Sequence, residues 1–342
     1  MNLKPFRSII VTLIAFLIIG SLKACYSKLT HVDLPQDGSP ALLFSTETGH
    51  DVQKSYIAAI KEAKKSILIL TYTITDRPVI RALRQKSEEG VEVTLICHQD
   101  ISYDIENKIG NKVKVLKRFG KGLMHLKIMV IDEEKSFIGS ANLTHASLKM
   151  YGNLVTAFNS RSLAAYLTEK ANAIRQYQNG LNFKNQSFVI GGQLVEFFFL
   201  PDDPHASIRI KELIREAKKT IKIAMFTWTR EDFAKEVIHA SLRGVQVEVA
   251  LDRSSSKGSS MAISDLLKKS NILLKLNKGE ELLHYKFLYI DGKTLVNGSA
   301  NWTKNAFNTN DDCFMILHDL NQPQVDEMEN VWQAIQRNTI AG

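Results

Sequence analysis

The chain has 342 residues, with 44 Lys plus Arg against 36 Asp plus Glu, a formal net charge of +8 and three cysteines. That length accommodates two domains of ordinary size, and so few cysteines exclude a disulfide framework and a zinc site. The mild basic excess favours an anionic lipid surface or a phosphodiester substrate without naming either.

Lys4 and Arg7 precede an uncharged apolar run from Ile9 to Leu22, the layout of a secretory signal and too short for a comfortable membrane span. The run ends Leu22-Lys23-Ala24-Cys25, which resembles a bacterial lipoprotein cleavage box, although Lys23 stands where such boxes carry a small or apolar residue. The expectation is an exported, membrane-associated protein, held through lipidated Cys25 or through an uncleaved N-terminal anchor. Loss of residues 1–25 would remove Lys4, Arg7 and Lys23 and leave a formal charge of +5. Cys97 and Cys313 lie in apolar, strand-like stretches and read as buried, inert thiols.

Beyond the leader the chain repeats itself. Residues 51–76, DVQKSYIAAIKEAKKSILILTYTITD, are echoed by residues 205–230, HASIRIKELIREAKKTIKIAMFTWTR. Each reads as an amphipathic helix feeding a buried strand. A second helix follows in each half and closes on Gly90 or Gly244, a suitable C-terminal cap. The strands VEVTLICHQD and VQVEVALDRS come next. Lys117, Arg118 and Lys121 then read as a solvated loop or as a basic rim. Helices alternating with apolar strands predict an α/β fold of two lobes, each a mixed or parallel sheet flanked by helices. The lobes are expected at 40–185 and 186–342, joined near Asn182–Gly192.

The repeat is tightest in HLKIMVIDEEKSFIGSAN (residues 125–142) and HYKFLYIDGKTLVNGSAN (residues 284–301). Both read H-x-K, four residues, D, six residues, G-S-A-N. Residues two apart in a strand share a face, so an imidazole and a fixed positive charge project together. The Gly-Ser-Ala-Asn adds close backbone approach, a hydroxyl and an amide. Cation, hydroxyl, amide and imidazole together form a cradle for a tetrahedral phosphate anion. Asp132 and Asp291 end their strands before a turn, and by position read as turn chemistry or buried partners.

This doubled pattern resembles the phospholipase D superfamily over nearly the whole chain after the leader. The resemblance implies two lobes about a pseudo-twofold axis, with both motifs facing one site. It also implies phosphodiester cleavage through a phosphohistidine, without metal or other cofactor. The motif-derived catalytic set is His125, Lys127, Asp132, His284, Lys286 and Asp291. Ser140, Asn142, Ser299 and Asn301 complete the phosphate cradle. In the superfamily an acid some ten positions past the second motif orients the first histidine. Asp312 fits that place, making His125 the nucleophile and His284 the acid/base, whereas the first lobe reads Asn153-Leu154-Val155 and has no acid there. The expected partners are a phospholipid or other phosphodiester and a membrane surface, with the chain a two-lobed monomer. An exported endonuclease acting on nucleic acid and a catalytically weak lipid- or phosphate-binding module are the alternatives. Tyr72, Phe226 and Trp228, near strand ends, read as core residues or as contacts for acyl chains or bases.

Overall fold

The computed structural model describes residues 32–49, 51–102, 104–175 and 183–342. The expected leader with Cys25, and Asn182 at the expected joint, lie outside the described residues. Residues 34–342 form one compact unit.

The first half runs β1 (Leu42–Ser45), α1 (Val52–Glu62), β2 (Ser66–Thr71), α2 (Arg77–Glu88), β3 (Glu92–His98), α3 (Ile105–Ile109), β4 (Lys114–Arg118), β5 (Lys127–Ile131), β6 (Lys135–Gly139), α4 (His145–Lys149), β7 (Leu154–Asn159) and α5 (Arg161–Arg175). The second runs β8 (Gln186–Ile190), β9 (Gln193–Leu200), α6 (Ala206–Glu216), β10 (Thr220–Met225), α7 (Glu231–Leu242), β11 (Gln246–Leu251), α8 (Arg253–Ser256), α9 (Met261–Lys269), β12 (Leu273–Asn277), β13 (Lys286–Ile290), β14 (Thr294–Gly298), α10 (Lys304–Asn308), β15 (Asp312–Leu317), α11 (Gln322–Arg337) and β16 (Thr339–Ala341).

Each half builds one mixed sheet. The first has seven strands in the order β1-β7-β6-β5-β2-β3-β4. The second repeats that order as β9-β15-β14-β13-β10-β11-β12 and adds β8 and β16 at its edges, nine strands in all. In both, the strands from the helix-strand repeat pair in parallel and the motif strand joins them antiparallel: β5 runs against β2 and β13 against β10. The stretch around Lys117 and Arg118, read from sequence as a loop, is strand β4, and both charges are paired: Lys117 Nζ lies 3.1 Å from Glu106, and Arg118 Nε 2.8 Å from Asp311. Lys121 is exposed.

The sheets meet through β14, which packs on β6 and β7. One apolar core crosses between the halves, taking Ile128, Leu154 and Phe158 from the first and Tyr285, Phe287 and Trp332 from the second. The final helix of each half bridges the two halves, touching strands of both. Tyr166 of α5 packs on Phe188, Phe197 and Phe199 of β8 and β9, while α11 packs on β1. A second core lies under α6, α7 and α9, around Trp228, Phe233 and Leu267. Trp228 is fully buried edge-on to Trp302, so it is core rather than a ligand contact. Cys97 and Cys313 are also fully buried, and burial pushes their thiols up to about 11 and about 12.

Candidate active site

Antiparallel pairing decides where the histidines sit. Lys127 opposes Thr71 at the C-terminal end of β2, and Lys286 opposes Met225 at the C-terminal end of β10. His125 and His284 lie two residues earlier, just outside the sheets, both more than nine-tenths buried. The loops that carry them are clamped across the two halves by matched backbone bonds. Asp311 N–H donates to Leu123 O at 2.8 Å, and Gly152 N–H to Leu282 O at 2.9 Å.

The side chains repeat the same symmetry. His125 Nδ1 lies 2.8 Å from Asp312 Oδ1, and His284 Nδ1 lies 2.9 Å from Asn153 Oδ1. Each partner comes from the opposite half. Ser299 Oγ donates to Asp312 Oδ1 at 2.7 Å, and Ser140 Oγ donates to Asn153 Oδ1 at 2.8 Å. Lys127 Nζ donates to His125 O at 2.6 Å, and Lys286 Nζ to His284 O at 2.7 Å. Tyr72 lies 5.5 Å from the His125 ring, and Phe226 lies 4.9 Å from that of His284. Those two half-buried rings therefore wall the histidines. The N–H beside each loop also has a matched acceptor: Met124 N–H donates to His98 Nδ1 at 3.3 Å and Leu283 N–H to Asp252 Oδ2 at 3.0 Å.

These bonds fix the tautomers. The Asp312 carboxylate only accepts, so His125 Nδ1 carries the proton. Asn153 Nδ2 donates to the carbonyl of Ser147 at 2.9 Å, which leaves Oδ1 to accept from His284 Nδ1. In both rings Nε2 remains available for chemistry.

The electrostatics are lopsided. Burial pulls Lys127 down to about 7 and Lys286 well below the usual lysine range, and the two also repel each other's charge at Lys286. Burial lowers His125, with Asp312 opposing that shift; burial, both lysines and His125 together push His284 well below the imidazole range. Burial raises the Asp312 carboxyl, but His125, Lys127 and Ser299 outweigh it and hold the group below the ordinary aspartate value. The Asp312 carboxylate thus faces two lysines and two histidines, and Asp252 adds negative charge at Lys286 alone. Such a site is short of negative charge, and a phosphate anion would supply it.

The sequence-derived set divides here. His125, Lys127, His284, Lys286 and Asp312 come together. Asn142 and Asn301 sit at the ends of β6 and β14; Asn142 Oδ1 is buried without a hydrogen-bond partner, and Asn301 Oδ1 accepts from Thr227 N–H at 3.2 Å. Asp132 and Asp291 do not join them. Asp132 takes the amides of Lys64, Lys65 and Ser66 at 2.7–3.1 Å, and Asp291 those of Lys218, Lys219 and Thr220 at 2.7–2.8 Å. Both hold a left-handed backbone, φ 52° and 54°, at the far end of the motif strand. Their inclusion in the catalytic set is corrected: they pin the turn from helix into β2 or β10. Ser140 and Ser299 are corrected too. They are fully buried, receive the amides of Leu154 and Cys313 at 3.0 Å, and spend their protons on Asn153 and Asp312 rather than on a ligand.

Asn153 was not read from sequence as a site residue, because no acid stood there. The signal was its register: it occupies the place in the first motif's continuation that Asp312 occupies in the second.

Two sheets sharing one phosphate-seeking, histidine-paired centre define a phospholipase D-like protein, and the chain belongs to the family described as "Cardiolipin synthase, PLD-like domain", which matches residues 56–175 and 210–335. Among characterised proteins it resembles the mitochondrial cardiolipin hydrolase of Chlamydomonas reinhardtii, 30% identical over 34% of this chain and 52% of that one. It also resembles the Xenopus tropicalis mitochondrial cardiolipin hydrolase, 28% identical over 39% of this chain and 64% of that one. Cardiolipin synthase 1 of Staphylococcus epidermidis is 34% identical over 30% of this chain and 22% of that one. The matched segment thus spans about half to two thirds of the hydrolases. A phosphatidylserine synthase structure from Haemophilus influenzae superposes with a TM-score of 0.70 over 94% of this chain and 91% of that one, at 13% identity, a likeness of fold.

Proposed function

We propose that the chain is a phosphodiesterase of phospholipids that transfers a phosphatidyl group through His125 to water or to an alcohol. The observation that carries this reading is the cross-lobe His125–Asp312 pair, which makes one of two symmetric histidines the more basic. His125 Nε2 attacks phosphorus, and the bond from phosphorus to the head-group oxygen breaks. His284 gives that oxygen its Nε2 proton, leaving a phosphatidyl-histidine. Water or an alcohol then attacks phosphorus while His284 takes its proton, and the P–N bond breaks. Lys127, Lys286, Asn142 and Asn301 hold the phosphoryl oxygens. The Asp312 carboxylate supports the charge that develops on His125, and binding of an anionic phosphate between the lysines raises the proton affinity of His284. The names of the curated relatives support a phospholipid substrate. The leader supports export and retention at a membrane.

The test is phosphatidic acid release from mixed phospholipid vesicles in EDTA, with the His284→Ala chain as blank. Release by the parent alone is the expected result. No release, with plasmid or single-stranded DNA cut under the same conditions, would replace this reading with a nuclease.

A further inference from the structure

The repeat supplies an internal control for every surface of the first lobe, and one surface departs from it. Helix α2 places Arg77, Arg81 and Arg84 at helical spacing, so the three share a face. That face lines a cleft of about 770 Å³, closed on its far side by Lys108 and floored by the buried Ile80 and Ile105. Arg77 and Arg81 have no ion pair among the described residues. Arg84 pairs with Glu88 and Lys108 with Asp104, both on the open surface where such pairs are weak.

Helix α7 occupies the same place in the second lobe, and its matching residues are Glu231, Lys235 and Ile238. There Glu231 and Lys235 pair at 2.8 Å, and no row of positive charge remains. The crossover also differs. Residues 252–272 carry α8 and α9, and α9 packs on α7; the shorter crossover of residues 99–113 carries α3, which packs on α2 and bounds the cleft through Ile105, Asn107 and Lys108. The arginine row is therefore peculiar to one lobe. The cleft begins at Ile74 and Thr75, directly beyond Tyr72, which walls His125.

An arginine row over an isoleucine floor matches a phosphoryl head joined to an apolar body. Ile101 is 42% exposed at its lip, and Phe119 and Leu123, 55% and 37% exposed, crown the adjoining loop that leads into His125. We infer that the Arg77–Arg81–Arg84 cleft is a second phosphate site. It takes the head of an anionic phospholipid in the bilayer while another ester lies between the histidines. The lipid source rests on the proposed function; the phosphate chemistry does not.

Arg77→Gln with Arg81→Gln tests it in the full chain. All binding is measured with His284→Ala also present, so that no lipid is consumed and binding is read apart from turnover. The parent is expected to co-sediment more strongly with phosphatidylcholine vesicles containing phosphatidylglycerol than with phosphatidylcholine alone. The double variant should lose about thirtyfold of that preference, as for two arginines withdrawn from a membrane surface. Lys235→Gln with Lys257→Gln, which removes the same charge from the second lobe, should lose less than about threefold. Without the His284 change, the double arginine variant should hydrolyse a soluble chromogenic phosphodiester as the parent does, which reports an intact fold. Inorganic phosphate should bind the parent at two sites and the arginine variant at one. Unchanged vesicle binding overturns the lipid assignment, and a phosphate stoichiometry that still falls would then assign the cleft to a soluble phosphate. Unchanged stoichiometry overturns the site altogether.

Discussion

Asp312→Asn is expected to slow phospholipid turnover by about 10²–10⁴-fold, the range associated with losing a group that orients and charges a catalytic imidazole. The substitution changes little else, because the first lobe already contains its product. Asn153 fills the matching frame, accepting from Ser140 at 2.8 Å and facing His284 Nδ1 at 2.9 Å. The variant should therefore fold and keep the bonds to His125 and Ser299, losing only the 3.4 Å bond that Asn310 Nδ2 donates to Asp312 Oδ2. What it loses is charge. Burial lowers His125 and the Asp312 carboxylate opposes that lowering, so its removal drops His125 further. The acid limb of kcat/KM, where His125 must be unprotonated, should move to lower pH as the maximum falls. Asn153→Ala serves as comparison, since it frees His284 without touching the His125 pair. A variant Asp312→Asn with turnover within a few-fold of the parent would mean that the carboxylate merely packs.

Lys286→Met is expected to raise stability by about 1–3 kcal/mol while lowering turnover by about 10²–10³-fold. Lys286 and Lys127 are buried side chains that share the Asp312 carboxylate, and burial disfavours their charge. A methionine of similar length fills the space without that cost. The sign follows from proton counting. The folded chain releases the Lys127 proton near 7, and that of Lys286 also well below 10.5, whereas the unfolded chain holds both until about 10.4. Unfolding takes up protons in that window, so parent stability climbs as pH rises from about 7 toward about 10.4. Lys286→Met should climb less. Inorganic phosphate should raise the parent's urea midpoint more than the variant's. A lower midpoint for Lys286→Met at neutral pH would contradict the view that the buried lysines are electrostatically strained.

The paired histidines and lysines of the candidate site were legible because the chain states them twice. His125, Lys127, His284 and Lys286 follow from motif and spacing, and the α/β lobes follow from the helix-strand repeat around Gly90 and Gly244. The turn role of the fixed Asp residues was legible from their place at a strand end, although the motif also drew them into the catalytic set; the buried role of the fixed Ser residues was not legible. A conserved spacing says that a residue is held, and a strand-ending aspartate on three backbone amides is held as firmly as a catalyst. Asn153 was obscured for the opposite reason: an amide does not announce itself where a carboxylate is expected, although only the acceptor oxygen matters to His284. The bridging of the halves by α5 and α11 depends on contacts far apart in sequence, such as Tyr166 on Phe197, and no local pattern encodes those. The basic cleft was hidden because it arises from a comparison of helix faces, Arg77, Arg81 and Arg84 of α2 against Glu231, Lys235 and Ile238 of α7, rather than from any motif.

The central claim is that His125 carries the covalent intermediate. Its most direct test is intact-mass measurement on the His284→Ala chain, quenched in alkali during reaction with a phosphatidyl ester of p-nitrophenol. That leaving group needs no proton, so the adduct should form, and without His284 to activate water it should accumulate on His125. A phosphatidyl adduct that forms instead on the His125→Ala chain would contradict the account and make His284 the nucleophile.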